Sequence, residues 1–297
     1  MNWLAIINPQ SGGRKNDGEM ARMIGALRPI TSNCIVTRHP GHAEELARSR
    51  DGIEGLLVVG GDGTLHEVLR GLDGRDFVVA IVPAGTGNSL ARDLGLNTMK
   101  AALEAVRVGR WLSIDLMRVS FKDGEGLERQ SMAASTVALG YPVAATKIAE
   151  QRLKRLGKFC YPVAATLEAL CQKRFAVQLR HSHAPRESYW LTGLLINNTR
   201  HVANFPAFPN ASVQDGTLEV MELNAGFVKQ VAHNVSILSR RNFYAPALIR
   251  REAFLIVDLP SPQELMIDGE IYPEVTNLKV EVLPRRLRCI GGATVHP

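Results

Sequence analysis

The apolar residues of this chain follow two different rhythms. In the N-terminal third, four short apolar runs are each followed by turn residues: WLAII (3 to 7), CIV (34 to 36), LLVV (56 to 59) and FVVAIV (77 to 82). This is the pattern of strands buried on both faces. Between them, Met20, Met23, Ile24 and Leu27 fall at helical spacing, and so do Leu65, Val68, Leu69 and Leu72. TMKAALEAVRVG (98 to 109) adds another helix. Strands alternating with helices at this spacing predict βαβ units and a mainly parallel sheet.

From about Ser113 the rhythm changes. SIDLMRVSF, RQSMAASTVALG, FAVQLR, YWLTGLLINN, TLEVMEL, FLIVDL, ELMIDGEIY and NLKVEVL read as strands separated by turn residues, which predicts a β-sandwich or barrel. Two stretches interrupt it: 143 to 173, expected to be helical, and 226 to 239. The expected fold class is an α/β domain with a parallel sheet over residues 1–112, followed by a β-sandwich domain over 113–297. A chain of 297 residues with 45% hydrophobic content is large enough for two such cores.

The net charge of +6 favours an acidic partner: nucleic acid, an anionic membrane surface or a phosphate-bearing substrate. Aromatic residues make up only 6% and no basic stripe is interleaved with them, so nucleic acid is disfavoured. Cys34, Cys160, Cys171 and Cys289 lie far apart with no CxxC pair, which suits reduced cytoplasmic thiols better than a zinc site or a disulfide. MNWLAIINP has no basic leader, and no run reaches the roughly 18 apolar residues of a spanning helix. A soluble protein able to sit on a membrane is expected. HSH (181 to 183) has no further ligand spaced to complete a metal site and reads as an exposed turn.

LLVVGGDGTLHEV (56 to 68) places a glycine-acid-glycine turn between a buried strand and a helix. Bare backbone N–H groups and the helix dipole make such a turn a ready anion site. The same residues fit a tight connection with Asp62 as a cap, and the turn alone does not choose. It has companions in PAGTGNSLARDLG (83 to 95), with Thr86, Asn88 and Arg92, and in INPQSGGR (7 to 14), with Asn8, Ser11 and Arg14. Parallel strands bring such loops to one sheet edge, where α/β sheets bind ligands. Neither GxxxxGK[ST] nor GxGxxG occurs, which excludes a P-loop and the dinucleotide fingerprint.

Taken in order, these residues resemble the diacylglycerol kinase catalytic-domain family, which includes bacterial lipid kinases and sphingosine kinases. The resemblance runs through INPQSGG, Thr37 with GHAEELA (41 to 47), GGDGTLHEV (60 to 68), PAGTGNSLARDLG and ID (114 to 115). It continues in LKRLGKFCYPVAATLEAL (153 to 170), DGTLEV (215 to 220) and IDGE (267 to 270). GGDGT alone also occurs in NAD kinases and phosphofructokinases; its combination with PxGTxN and a late DGE is specific. The resemblance implies a phosphofructokinase-like α/β domain and a C-terminal β-sandwich, with ATP and lipid meeting between them.

By the same resemblance Thr37, Gly61, Asp62, Gly63, Thr64, Leu65, His66, Glu67 and Thr86 contact ATP, with Asn8 and Asn88 as further ligands in the flanking loops. Asp62 is expected beside the phosphates and a catalytic Mg2+, because a carboxylate next to a phosphate is unfavourable without a bridging cation. The family places the acceptor of the hydroxyl proton in IDGE; Glu270 is the expected acceptor, with Asp268 orienting it or binding magnesium. On a strand these two side chains share a face, whereas a glycine turn aims them separately; an ordinary Asp-Gly hairpin is the plain alternative.

Asp215 matches a position that in bacterial members helps hold a structural magnesium with backbone carbonyls from positions like Ser212 and Thr217. The family usually has a glycine-rich stretch shortly before it, where this chain has RHVANFPAFPNAS (200 to 212). His66 stands where most bacterial members have asparagine, a change that sphingosine kinases share. The expected function is ATP- and Mg2+-dependent phosphorylation of a lipid hydroxyl, diacylglycerol to phosphatidic acid first, then a sphingoid base or ceramide. A kinase for a soluble substrate such as NAD and a noncatalytic nucleotide- or lipid-binding protein are the competing readings. KIAEQRLKRLGK (147 to 158) carries Lys147, Arg152, Lys154, Arg155 and Lys158 beside CYPVAATLEAL. It fits either contact with an anionic bilayer or a solvated helix face whose apolar side packs on the sandwich. Peripheral association with an anionic membrane surface from the cytoplasm is expected, with room for a homodimer.

Overall fold

The computed structural model describes residues 1–13, 15–49, 52–72, 77–153, 160–169, 173–202, 205–224 and 249–292. Arg14, Lys154, Arg155, Lys158, Cys171 and the stretch 226 to 239 named above lie outside them. The chain forms two compact units, Met1–Leu116 with Pro284–Pro297, and Met117–Leu283.

In the first unit strand and helix alternate: β1 (Trp3–Ile7), α1 (Asp17–Leu27), β2 (Cys34–Val36), α2 (His42–Arg48), β3 (Gly55–Gly60), α3 (Asp62–Leu72), β4 (Val78–Pro83), α4 (Ser89–Asp93) and α5 (Met99–Val108). The strands pair in parallel in the order β2-β1-β3-β4, with Ile7 opposite both Val36 and Val59. Leu4 to Ile7, Leu56 to Val59 and Val78 to Val82 are buried on both faces, which is why these runs show no polar alternation. Local chemistry sets the helix ends. Asn16 and Glu19 close a capping box on α1, Thr98 caps α5, and Gly109 ends α5 in the left-handed region at φ 72°.

Strand β5 (Trp111–Lys122) runs from the first unit into the second, and β14 (Glu270–Ile290) runs back. The end of β14 joins the first unit's sheet in parallel, Arg288 opposite Val78 and Cys289 opposite Val79. Asp115, fully buried in β5, accepts the Arg285 backbone N–H at 2.7 Å and so fixes the returning stretch where Arg285 takes a φ of 51°.

The second unit is strand-rich: β6 (Glu128–Ala133), β7 (Thr136–Gly140), α6 (Tyr141–Gln151), α7 (Cys160–Ala169), β8 (Phe175–His181), β9 (Arg186–Leu191), β10 (Gly193–Asn197), β11 (Leu218–Leu223), β12 (Ile249–Glu252) and β13 (Phe254–Ile267). An antiparallel ladder runs β12-β11-β10-β7-β13-β14; the β8–β9 hairpin pairs with β13, and β5–β6 with β14. Side chains alternate across it. Val137, Leu139, Leu194, Ile196, Val220, Leu265 and Ile267 face the main core, while Ala138, Leu195, Met221 and Met266 meet Val143 of α6 and Phe208 on the other side. Two covered faces explain why GLLIN reads as an almost unbroken apolar run, and why Val220 and Met221 are both buried on β11. The architecture is the expected one, an α/β unit with a parallel sheet and a C-terminal β-sandwich, the helical stretch after residue 143 being the pair α6 and α7.

Candidate functional site

All four parallel strands of the first unit end at one edge, and three loops are brought together there. Asn8, after β1, donates its Nδ2 to Thr64 Oγ1 of α3 at 2.9 Å, and its Oδ1 accepts the Gln10 N–H at 2.9 Å. Between the second and third loops the backbones touch: a methyl group on Gly85 would lie 2.6 Å from Gly61 Cα. A methyl on Gly12 would strike the Ala84 carbonyl, and one on Gly60 would lie 2.5 Å from the Thr64 side chain. Glycine is therefore demanded by close approach between loops. On the outer side the edge is open, because a methyl on Gly13 or Gly63 meets nothing within 4 Å.

Asp62 opens α3 and reaches across to the 84–88 loop. Its Oδ1 accepts the Ser89 backbone N–H at 2.8 Å, and Ser89 Oγ lies 3.4 Å from Oδ2. Asp62 thus ties the second loop to the third. Asn88 holds its own turn: in the left-handed region at φ 54°, it accepts the Gly85 N–H at 3.0 Å and donates to the Gly85 carbonyl at 2.6 Å. Arg92 Nε donates to the Gly87 carbonyl at 3.2 Å. Thr86 is half-buried in this turn. Thr37, just after β2, is half-buried at the same edge, its N–H bonded to the Ile7 carbonyl at 2.8 Å.

Two residues of the 61 to 67 stretch turn away from this edge. Leu65 and His66 are 2% and 0% exposed, because the helical period that buries Val68 and Leu69 also carries them inward. Glu67 Oε2 accepts the Ala43 N–H at 3.2 Å, serving the first turn of α2, which Gly41 cannot cap with a side chain. At this edge the stretch therefore presents its backbone rather than the side chains of Leu65 and His66. The sequence reading also passed over Lys15. Its ammonium donates to the Ser11 carbonyl in the first loop, and partial burial lowers its pKa from the ordinary lysine value. The basic pair after SGG was the available signal.

In the second unit, IDGE is a turn. Asp268 and Gly269 both have positive φ, 48° and 96°, and Ile267 pairs with Glu270, the geometry of a two-residue hairpin. The two acids are therefore aimed separately. Asp268 is 4% exposed and points inward: Oδ2 accepts the Ala134 N–H at 2.7 Å, and Oδ1 those of Ser135 and Thr136 at 2.9 and 2.8 Å. Its own N–H returns a bond to the Thr136 carbonyl at 2.8 Å. Thr136 Oγ1 in turn donates to Asn197, which bonds the Thr199 carbonyl. Glu270, half-buried, follows the turn as the first residue of β14, opposite Ile267.

Asp215 sits in a turn of its own, its Oδ1 accepting both the N–H and the hydroxyl of Thr217 at 3.0 and 2.8 Å, while Ser212 Oγ accepts the Gln214 N–H at 3.3 Å. In the 200 to 212 stretch, which lacks the family's glycines, Phe208 is buried and Arg200 Nε donates to the Ala211 carbonyl at 3.1 Å. HSH is a turn at Ser182 and His183, with His183 exposed, and the expectation is corrected at His181. His181 is 3% exposed at the end of β8, Nδ1 3.0 Å from Glu252 Oε1 and Nε2 3.3 Å from Glu222 Oε1. The strand's alternation turns it inward. The Glu222 carboxylate beside it, aided by Glu252, holds its pKa above the ordinary histidine value.

The profile of the diacylglycerol kinase catalytic domain matches residues 2–119. A diacylglycerol kinase of Mycobacterium tuberculosis is 31% identical over 223 residues, covering 73% of this chain and 71% of that one. The chain belongs to the diacylglycerol kinase catalytic-domain family. A sphingoid long-chain base kinase of Arabidopsis thaliana is 32% identical over 199 residues, 62% of this chain. The chain spans 26% of that protein's length and 39% of a Bacillus subtilis relative's. A crystal structure of a diacylglycerol kinase from Bacillus anthracis aligns over 99% of this chain and 98% of its own with a TM-score of 0.78 at 19% identity, so the fold is that of the family across both units.

The residues at this sheet edge would accommodate a polyphosphate and a cation, the groups that the sequence resemblance implies. The first-turn amides of α3, the open space at Gly13 and Gly63 and the ammonium of Lys15 suit a polyphosphate. A carboxylate has about four lone-pair positions, so Asp62 can bind a cation while Ser89 fixes its orientation. Among the described residues, no group of three or more His, Cys, Asp or Glu forms a metal cluster, and no helix is long and apolar enough to cross a membrane.

Proposed function

We propose that this protein is a lipid kinase that transfers the γ-phosphate of ATP, with Mg2+, to a lipid hydroxyl, that of diacylglycerol first. The observation that carries the reading is the meeting of three glycine loops at one sheet edge, with Asp62 fixed between two of them by Ser89. In this reading the α3 amides and Lys15 hold phosphate oxygens, and Asp62 holds the cation. Bound Mg2+ supplies charge neutralisation on the transferring group, the main requirement of phosphoryl transfer besides positioning. A bond forms between the lipid hydroxyl oxygen and the γ-phosphorus, the bond to the bridging oxygen breaks, and ADP leaves. The hydroxyl proton passes to Glu270, on a turn that Asp268 anchors. The structural Mg2+ belongs to the turn of Asp215, with Ser212 and Thr217. The M. tuberculosis relative's name supports diacylglycerol; the plant relative's supports a sphingoid base as second acceptor.

The test is incubation with labelled ATP and each lipid in detergent micelles, followed by organic extraction and thin-layer separation. Label is expected in the organic phase; label confined to the aqueous phase points to a soluble acceptor. Asp62→Asn keeps the oxygen that Ser89 donates to, and Glu270→Gln keeps the shape of the turn, so both should fold yet lose turnover by several hundredfold or more, as order-of-magnitude losses for charge and proton-transfer groups. Full turnover in both variants overturns the assignment.

A further inference from the structure

The stretch 134–136 is gripped from two sides. Its three N–H groups converge on the Asp268 carboxylate, which leaves its carbonyls to be held. Asp268 takes one of them, donating its own N–H to the Thr136 carbonyl at 2.8 Å. Asn198 takes the other two: its backbone N–H donates to the Ser135 carbonyl at 2.9 Å, and its Nδ2 donates to the Ala134 carbonyl at 3.2 Å. Each N–H and carbonyl of these three residues is thereby paired, as buried backbone requires. Asn198 is itself buried, like Ala134, Ser135 and Thr136.

Asn197, the preceding residue, fixes the approach. It stands opposite Thr136 at the end of β10, accepts the Thr136 hydroxyl and donates Nδ2 to the Thr199 carbonyl. Thr199 Oγ1 donates onward to the His201 carbonyl at 2.8 Å. Strand β10 borders β11 and β7 and has no ladder with β13 or β14, so Asn198 acts on the turn carrying Glu270 through residues 134–136, across β7. An amide suits this place, because Nδ2 is a donor without charge. A carboxylate would set oxygen against the Ala134 carbonyl, on the stretch that already serves the Asp268 carboxylate.

We infer that Asn198 is a positioning residue for phosphoryl transfer: by holding the carbonyls of Ala134 and Ser135 it aims the amides of this stretch at Asp268, and so fixes Glu270 where it takes the hydroxyl proton. The inference rests on the proposed role of Glu270 as proton acceptor. Asn198→Leu removes the side-chain donor at similar volume. Its kcat on diacylglycerol in detergent micelles should fall by about tenfold or more, because about 1 Å of misplacement can cost on the order of a hundredfold. KM for ATP should stay unchanged, since the residues expected to hold the nucleotide belong to the first unit. The same substitution is then placed in Glu270→Gln. With the acceptor already gone, it should lower the residual turnover by no more than about twofold, whereas a merely structural role would cost the same factor as in the parent. Hydrogen exchange of peptides spanning 134–136 and 267–270 should quicken by about tenfold in Asn198→Leu. Asn198→Ala, which removes the donor without adding bulk, carries the series if leucine prevents folding. An unchanged kcat, an equal loss in the Glu270→Gln background, or exchange that does not quicken overturns the inference. If Glu270→Gln loses turnover and the Asn198 variants do not, the proposed reaction stands and only this inference falls. Full turnover in Glu270→Gln removes the proposed acceptor, and the inference with it.

Discussion

Asp268 offers the sharpest quantitative prediction, because three backbone amides converge on its side chain. Three buried N–H groups, at Ala134, Ser135 and Thr136, converge on one carboxylate that is 4% exposed. Asp268→Ala strands all three. Each stranded buried donor costs about 1–3 kcal/mol, and a β-carbon held at positive φ without a polar side chain adds about 1 kcal/mol. Water reaching a turn at a strand end relieves part of this, which leaves roughly 3–6 kcal/mol. Asp268→Asn is a graded control: the amide oxygen at the Oδ1 position keeps the Ser135 and Thr136 bonds, and asparagine tolerates the left-handed region. Only the Ala134 N–H loses its partner, for about 1–3 kcal/mol. A chain of two units need not unfold in one step, so local opening is the better readout than a global melt. Hydrogen exchange of peptides spanning 134–136 should quicken by about a hundredfold or more in the alanine variant and by about tenfold in the asparagine variant. If the two variants exchange alike, or if alanine leaves exchange unchanged, the carboxylate is not what holds the turn carrying Glu270.

Gly85→Ala should reduce nucleotide binding and cost about 1–3 kcal/mol of stability, since its methyl would meet backbone at Gly61, 2.6 Å away, and neither loop has a flexible atom to move; isothermal titration with a nonhydrolysable nucleotide checks it, and unaltered affinity counts against the cradle. His181 has a pKa raised by Glu222 first, with Glu252 adding to it and Arg250 opposing, so its contribution to stability is full below the ordinary histidine value of 6.5 and is lost as pH rises through the raised one. Against His181→Gln, the parent's melting temperature should fall more steeply over that rise, and parallel curves refute the clamp. Burial pushes the pKa of the Cys289 thiol far above its ordinary value, so a disulfide reagent should modify it only after denaturation.

The sequence by itself determined what periodicity and turn chemistry encode. The parallel strands, the helices between them and the glycine loops at their ends follow from local patterns, because burial on both faces and close approach each demand particular residue types at fixed spacing. Tertiary structure alone decided where the carboxylates went. The side chain of Asp62 serves a backbone amide 27 positions away, and that of Asp268 serves amides 132 to 134 positions away. A backbone N–H is present at nearly every residue, so such pairings leave no mark in the side-chain pattern. The same holds for His181, whose neighbours in HSH suggest a turn while its partners on β11 and β12 are supplied by the sheet. It holds too for α7, whose apolar residues are plain in the sequence, but whose packing on small alanines, with Val163 and Leu167 turned outward, depends on α6 being beside it.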